Sequence, residues 1–380
     1  MTAAAGASST STRGSVILQW LFALEVRRMN MKHTCLTAVL LTWPQLVVAQ
    51  PQPAPAAAPA VAPEDVDQVE EARLIHGVQA SVRVYSKDAA AGRAAAQAAM
   101  NEIARIYDKY DLHTRDSEAT AINSAAGTEE VLVSEETFQL LTRMLDLCRR
   151  SNGAYDPTVA SYDFLWNFSI RPFVRPLADE IAGRRKMIGC DKVILKPVQH
   201  AVRTATPGTR ITFAGVLHGF ALERTSEVLR KAGLNDFRIR IGNDQFAQGR
   251  VGTRHWFTAA PNTRKPEDEP MQVYLTSQAA MTVSDSDHFV LRNGKRYHDG
   301  LDPRTGMPAE GTVQATVIGS DPTMAGAMAH ALLVLGPKAG LAMLAHDKQA
   351  EGFVVDATGK IFVSPAMTEY AHLPAKMPVE

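Results

Sequence analysis

The chain has 380 residues, 46% of them hydrophobic and 21% charged, which is enough apolar material for one large or two closely joined globular units. Lys plus Arg and Asp plus Glu each number 40, so no net field draws the chain to nucleic acid or to an anionic membrane, and any polyanion must be held by local groups. The three cysteines, Cys35, Cys148 and Cys190, form no Cys-x-x-Cys pair and no zinc-ligand spacing, which argues against a cysteine-built metal centre.

The first elements read as an address. Within residues 29–49, Lys32 and His33 precede an apolar run from Leu36 to Val48, and Val47-Val48-Ala49 offers small residues for cleavage before Gln50. The run is about 13 residues, short of the ~20 that span a bilayer, so a cleaved signal peptide is expected and no stable membrane span after it. Export to the periplasm or another extracytoplasmic space follows. Residues 1–28 lie upstream of that signal, as if the start codon were called too early. Cys35 precedes the run, so lipid attachment there is not expected, while an oxidising destination would permit a Cys148–Cys190 disulfide that sequence alone does not pair. Residues 50–70 begin QPQPAPAAAPAVAP, which cannot pack and reads as a Pro/Ala tether to a folded domain over 71–380.

In the folded part, Ala80 to Tyr85 alternates like a strand, and Ala89 to Tyr110 has helical spacing. Ser134 to Arg150 opens on a capping serine and stops at Asn152-Gly153, and Leu177 to Ile188 is a further helix. Short strands are expected at Val193–Leu195, Ala201–Thr204 and Arg210–Phe213, then a helix from Gly219 to Ala232. Strands at Arg238–Ile241, Trp256–Ala260 and Gln272–Leu275 precede a helix from Thr323 to Leu335, with Gly336 as its stop, and a further turn or two over Lys338–Leu344. Strands at Gly352–Val355 and Ile361–Val363 finish the chain. Runs of strands with interspersed helices and no regular βαβ repeat predict an α+β fold.

Five segments in order carry a family resemblance. They are Asp116-Ser117-Glu118 with Ile122-Asn123; Gly153-Ala154-Tyr155-Asp156-Pro157-Thr158-Val159 with Leu165-Trp166-Asn167-Phe168; Gly215-Val216-Leu217-His218-Gly219-Phe220; Gly242-Asn243-Asp244; and Asp302-Pro303-Arg304-Thr305-Gly306. Together they resemble the ApbE-type FAD:protein FMN transferases. The resemblance implies mixed, mostly antiparallel sheets with flanking helices, FAD as small-molecule partner, Mg²⁺, and an acceptor protein with a threonine-containing motif that receives FMN. Cleavage of a diphosphate gathers negative charge on its oxygens, so such a site needs cations and N–H donors.

At the charge-bearing positions the chain departs from the family. The family's metal Asp and Thr, four apart on one helix face, correspond to Gly326 and His330, with the carbonyl of Gly215 as the remaining metal contact. Its Lys corresponds to His218, a conditional charge in place of a permanent one. His76 and His113 stand at two further FAD-facing positions, and Asp299, beside His298, at a family histidine. Thr282, Ser284, Asp285 and Asp287 fall where relatives carry T-S-G, and Asp285 would bring a carboxylate to the diphosphate unless a cation sits between; with Asp287 and Asp299 it could also rebuild a cation site.

The resemblance thus makes His218 and Asp285 the candidate catalytic residues. His76, His113, Ala154, Tyr155, Asp156, Thr158, His218, Gly242, Asn243 and Asp299 are the FAD contacts, and Gly215, Gly326 and His330 the metal positions. If the fold is kept, His76, His113, His218 and His330 converge. Either a released site has drifted, or a pocket for Zn²⁺ or Cu²⁺ has been built, or a flavin site survives with altered contacts. Asp156 to Thr158 and Gly242-Asn243 also read as plain turn chemistry, and Asp302 to Gly306 as a structural turn. The functional expectation is therefore an impaired or altered transferase, a pseudoenzyme in the extreme, and the alternative a flavin- or metal-binding assembly factor for exported redox proteins.

Overall fold

A computed structural model describes residues 66–112, 114–168 and 172–372. Eight strands form its central sheet: β1 (Asp67–Ile75), β2 (Val78–Ser86), β3 (Phe237–Ile241), β4 (Asp244–Gln248), β5 (Gln278–Ser284), β6 (Thr312–Gly319), β7 (Ala350–Asp356) and β8 (Ile361–Val363). They lie side by side in chain order, and every neighbouring pair is antiparallel. Side chains alternate across the sheet, so Met281, Ala315, Val317 and Val354 join the helical layer while Ala280, Ile318, Phe353 and Val355 join a second core. That second core is closed by a smaller antiparallel sheet whose Trp256, Met271, Val273 and Leu275 pack on the far face. β6 is buried at every position because both faces are covered. The fold is α+β with mostly antiparallel sheets and flanking helices.

Among the described residues six α-helices form: α1 (Ala89–Tyr110), α2 (Glu118–Ser124), α3 (Glu135–Arg150), α4 (Ala178–Arg185), α5 (Ala214–Lys231) and α6 (Pro322–Leu344). Asp88 caps α1 by accepting from the amides of Ala90 and Ala91, Ser117 caps α2, Ser134 caps α3, and Asp321 caps α6 by accepting from Met324. α6 is long and apolar enough to cross a membrane by length and composition alone, yet its Met324 to Ala329 and Ala331 to Leu333 are core residues, which accounts for the hydrophobicity. Gly336, at φ 78°, breaks its helical path.

Helices α5 and α6 meet backbone to backbone. A Cβ on Gly219 would collide with the Pro322 carbonyl oxygen and lie 2.7 Å from its carbon and 2.8 Å from Thr323 Cα, so only glycine allows this approach. Arg143 of α3 locks the pair, donating to Glu223 of α5 at 3.2 Å and to both oxygens of Asp321 at 2.6 and 2.8 Å. Cys148 of α3 and Cys190 are joined as a disulfide.

Several expectations need correction. β1 begins at Asp67, inside the stretch read as tether, and its pairing with β2 makes those residues part of the folded body. Arg210–Phe213 is not a strand. It is held instead by Asn123, which receives the Ile211 amide (2.8 Å) and donates to the Ile211 carbonyl (2.9 Å), and by the Thr212 amide donating to Pro157 O. α5 starts at Ala214 instead of Gly219, so Gly215 to Gly219 lies in its first turns.

Candidate active site

A cleft of about 620 Å³ opens between the first turns of α5, the second turn of α6, the end of β5 and the segments around residues 154–163 and 299–303. Of the residues expected in the site, Ala154, Tyr155, Asp156, Gly215, His218, Asp299, Gly326 and His330 line it.

His218 is held on one side. Its Nδ1 lies 2.7 Å from Asp244 Oδ2, and Asp244 Oδ1 accepts the Thr282 amide at 2.8 Å. The carboxylate is 12% exposed and the imidazole 32%, leaving Nε2 as the nitrogen free for a cleft ligand. Register explains the pairing: Ile241 opposes Asp244, so Gly242 and Asn243 alone make the turn, with Gly242 at φ 57°, and Asp244 starts β4 directly beneath α5. Gly242 donates its amide to Gln79 O at 2.9 Å, which removes it as a phosphate donor, and both turn residues are exposed and outside the cleft wall. Asp244 belongs to the Gly242-Asn243-Asp244 segment, but its pairing with His218, 26 residues away, was not legible in the motif.

At the expected metal position a Cβ on Gly326 would lie 3.2 Å from Gly215 O, so helix packing brings the two points together and leaves no carboxylate between them. His330, one turn on, donates Nδ1 to Gly326 O at 3.0 Å. Mg²⁺ asks for about six oxygens in octahedral array, and a lone carbonyl beside an imidazole does not fit it.

The histidines do not converge on a softer metal either. His76, in the left-handed region at φ 47°, is gripped by Asp111 (2.7 Å) and Asp108 (2.8 Å), hydrogen bonds that raise its pKa above the ordinary value. Tyr107 is neighbour to both His76 (ring centroids 5.7 Å apart) and His218 (6.1 Å). His113 lies outside the described residues. Among the described residues, the one group of three His, Cys, Asp or Glu with ligand atoms gathered within 4.8 Å is Cys148, Asp156 and Cys190, and its sulfurs are bonded to each other.

The remaining candidates divide. Asp156 caps a 3-10 turn, its Oδ1 accepting from the Thr158 amide (2.8 Å) and hydroxyl (2.6 Å). Burial nonetheless pushes its carboxyl up to about 6. Thr158 is fully buried behind the wall, where it accepts the Gly189 amide. Tyr155 and Tyr107 bury hydroxyls that have no protein partner, and burial raises both phenols above their usual range.

Asp285 is the clearest correction. It is 5% exposed, off the cleft wall, and ion-paired to Arg264, with Arg296 3.6 Å away. The cation required beside it is supplied by the protein itself, so Asp285 neither meets a cleft ligand nor joins Asp287 and Asp299. Asp299 pairs instead with His288 at 3.0 Å on the rim. Asp302 and Arg304 pair within their own turn, which Trp166 and Tyr162 anchor through the carbonyls of Gly306 and Pro303. Among its described residues the wall carries Asp156, Asp163, Asp244, Asp287 and Asp299, three histidines, and no Lys or Arg.

The fold places the chain in a class with solved ApbE structures. It is similar to the ApbE protein of Thermotoga maritima (26% identical, TM-score 0.74, covering 81% of this chain and 100% of that one). It also shares its fold with the flavinyl transferase ApbE of Pseudomonas stutzeri (22%, 0.71, 80% and 97%). In sequence it is similar to the FAD:protein FMN transferases of Treponema pallidum (27% over 301 residues, 73% of this chain and 82% of that one) and Haemophilus influenzae (23% over 274 residues, 70% and 79%). Residues 76–354 match the ApbE family model, and the chain belongs to the ApbE family.

Proposed function

We propose that this is an exported ApbE-type protein that binds FAD in the cleft and transfers FMN to an acceptor threonine only slowly. The observation that carries this reading is the meeting of Gly326 with the Gly215 carbonyl, where no side chain supplies negative charge to hold a cation. The relatives' activity supports the substrate, and the cleft volume suits a nucleotide-sized ligand. The only basic side chains on the described wall are histidines. Asp244 fixes the orientation of His218 by accepting from its Nδ1, so Nε2 is the acceptor in the neutral ring and donates to a phosphate oxygen or a leaving oxygen once the ring is protonated. The buried carboxyls nearby oppose an anion, Asp156 least because burial favours its neutral form. The Cys148–Cys190 disulfide suits an oxidising compartment and supports export.

A second reading, a flavin-binding assembly factor without transferase turnover, is favoured by the absence of Lys and Arg from the described wall. Two missing electrostatic contacts at about 2–4 kcal/mol each predict transfer at least roughly a thousandfold slower than in a relative that has both. The assay is incubation with FAD, magnesium and a threonine-containing acceptor, followed by intact-mass analysis of the acceptor. Transfer at a relative's rate refutes the impairment, absence of transfer with retained FAD binding favours the second reading, and absence of FAD binding overturns both.

A further inference from the structure

A second cavity, of about 670 Å³, adjoins the cleft, and Asp156 and Pro303 line both. Its wall includes three arginines, in contrast to the cleft: Arg149 in the last turn of α3, Arg185 at the end of α4, and Arg304. Arg304 is neutralised by a two-pronged contact with Asp302, at 2.9 Å for each bond, and Asp191 on the same wall is paired to Lys192 at 2.8 Å. Arg149 and Arg185 have no carboxylate partner among the described residues. The cavity therefore presents two uncompensated guanidiniums. Asp156, the facing acid, is 4% exposed and burial pushes its carboxyl up to about 6, so it opposes one of these two charges at neutral pH and loses that opposition as the pH falls below 6.

Guanidinium is the group that recognises planar oxyanions by paired hydrogen bonds, and two exposed copies without carboxylate partners line this one concavity, a charge pattern suited to a doubly charged oxyanion. A bare phosphate would leave most of about 670 Å³ unfilled, whereas a nucleoside monophosphate is of suitable size. We propose that this cavity binds a phosphate monoester of nucleotide size, with its phosphate between Arg149 and Arg185. The binding rests on the arginines and the cavity alone. Only the source of the ligand rests on the FAD reading, because transfer of FMN from FAD to an acceptor hydroxyl breaks the diphosphate and releases adenylate, and the cavity shares Asp156 and Pro303 with the cleft proposed to bind FAD.

The test is calorimetric titration of the purified protein with adenosine monophosphate and, separately, with inorganic phosphate at low salt. The same titrations are made on an Arg149→Gln, Arg185→Gln variant whose thermal melt shows that it folds. Arg150→Gln, which removes a neighbouring charge paired with Asp146 and off this wall, serves as the control. Saturable adenylate binding weakened at least about tenfold in the double variant, and less than about twofold in the control, is expected. Competition by phosphate for the same site is expected too. Absence of saturable binding at millimolar ligand, or binding that survives in the double variant, overturns the assignment and leaves the arginines as compensation for two helix ends. Adenylate that binds no tighter than phosphate overturns the monoester. Failure to bind FAD with adenylate binding intact removes the FAD reading and leaves this one standing.

Discussion

Replacing Gly326 with Asp asks whether the cleft lacks only a carboxylate. A Cβ there lies 3.2 Å from Gly215 O and 3.3 Å from Met281 Cε, each a few tenths of an ångström too close. The Met281 methyl can swing away while the carbonyl is fixed by α5, so entry of the side chain costs about 1 kcal/mol, the low end of overpacking. The new carboxylate then stands in a buried site beside a carbonyl oxygen without a cation, adding about 1–2 kcal/mol of desolvation. Gly326→Asp without divalent ion should therefore melt roughly 4–8 °C below the wild type. Magnesium at about a hundred times its dissociation constant returns about 2.7 kcal/mol, roughly 5 °C. Thermal melts of both proteins with and without millimolar magnesium decide the matter. An equal magnesium-dependent rise in the wild type would refute the claim that its donor set does not suit the ion, and no rise in the variant would show that this helix face is not the missing position.

Gly219→Ala forces α5 and α6 apart and should cost about 3 kcal/mol in denaturant melts; an unchanged midpoint refutes the backbone contact. Asp156→Asn keeps an acceptor for Thr158 and removes a buried acid whose folded pKa is raised from 3.8 to about 6. The ionisation penalty is absent below the unfolded value and complete above the folded one, so the variant should gain up to about 3 kcal/mol at neutral pH and nothing near pH 4. A gain independent of pH would contradict this. Reduction of Cys148–Cys190, which are separated by 42 residues, should lower stability by about 4 kcal/mol on chain-entropy grounds, read as a shift of the denaturant midpoint with reductant; no shift would show that the bridge is not formed.

The helices were legible because their caps and periodicities are local: Ser134, Asn152-Gly153 and the Ala-rich stretch from Ala89 to Tyr110 contain their own instructions. β1 was not, because only Val69 and Ile75 of its nine residues are buried and the rest read as a charged linker. Small and polar residues concealed β4, β5 and β6, whose burial comes from neighbours far along the chain. In the site, the replacements at Gly326, His218 and His330 could be seen in the motif and do face one cleft, whereas His76 is off its wall. Their partners could not be seen. Asp244 reaches His218 through hairpin register, and Asp285 turns away because Arg264, 21 residues earlier, claims it.

Because the eight strands are laid down in chain order, the first and last of them occupy opposite rims of the sheet. Seven spacings of about 4.8 Å separate those rims, on the order of 34 Å. A circular permutant joining strand β8 back to β1 would need a bridge of roughly ten extended residues, and shorter bridges should tear one rim strand from the sheet.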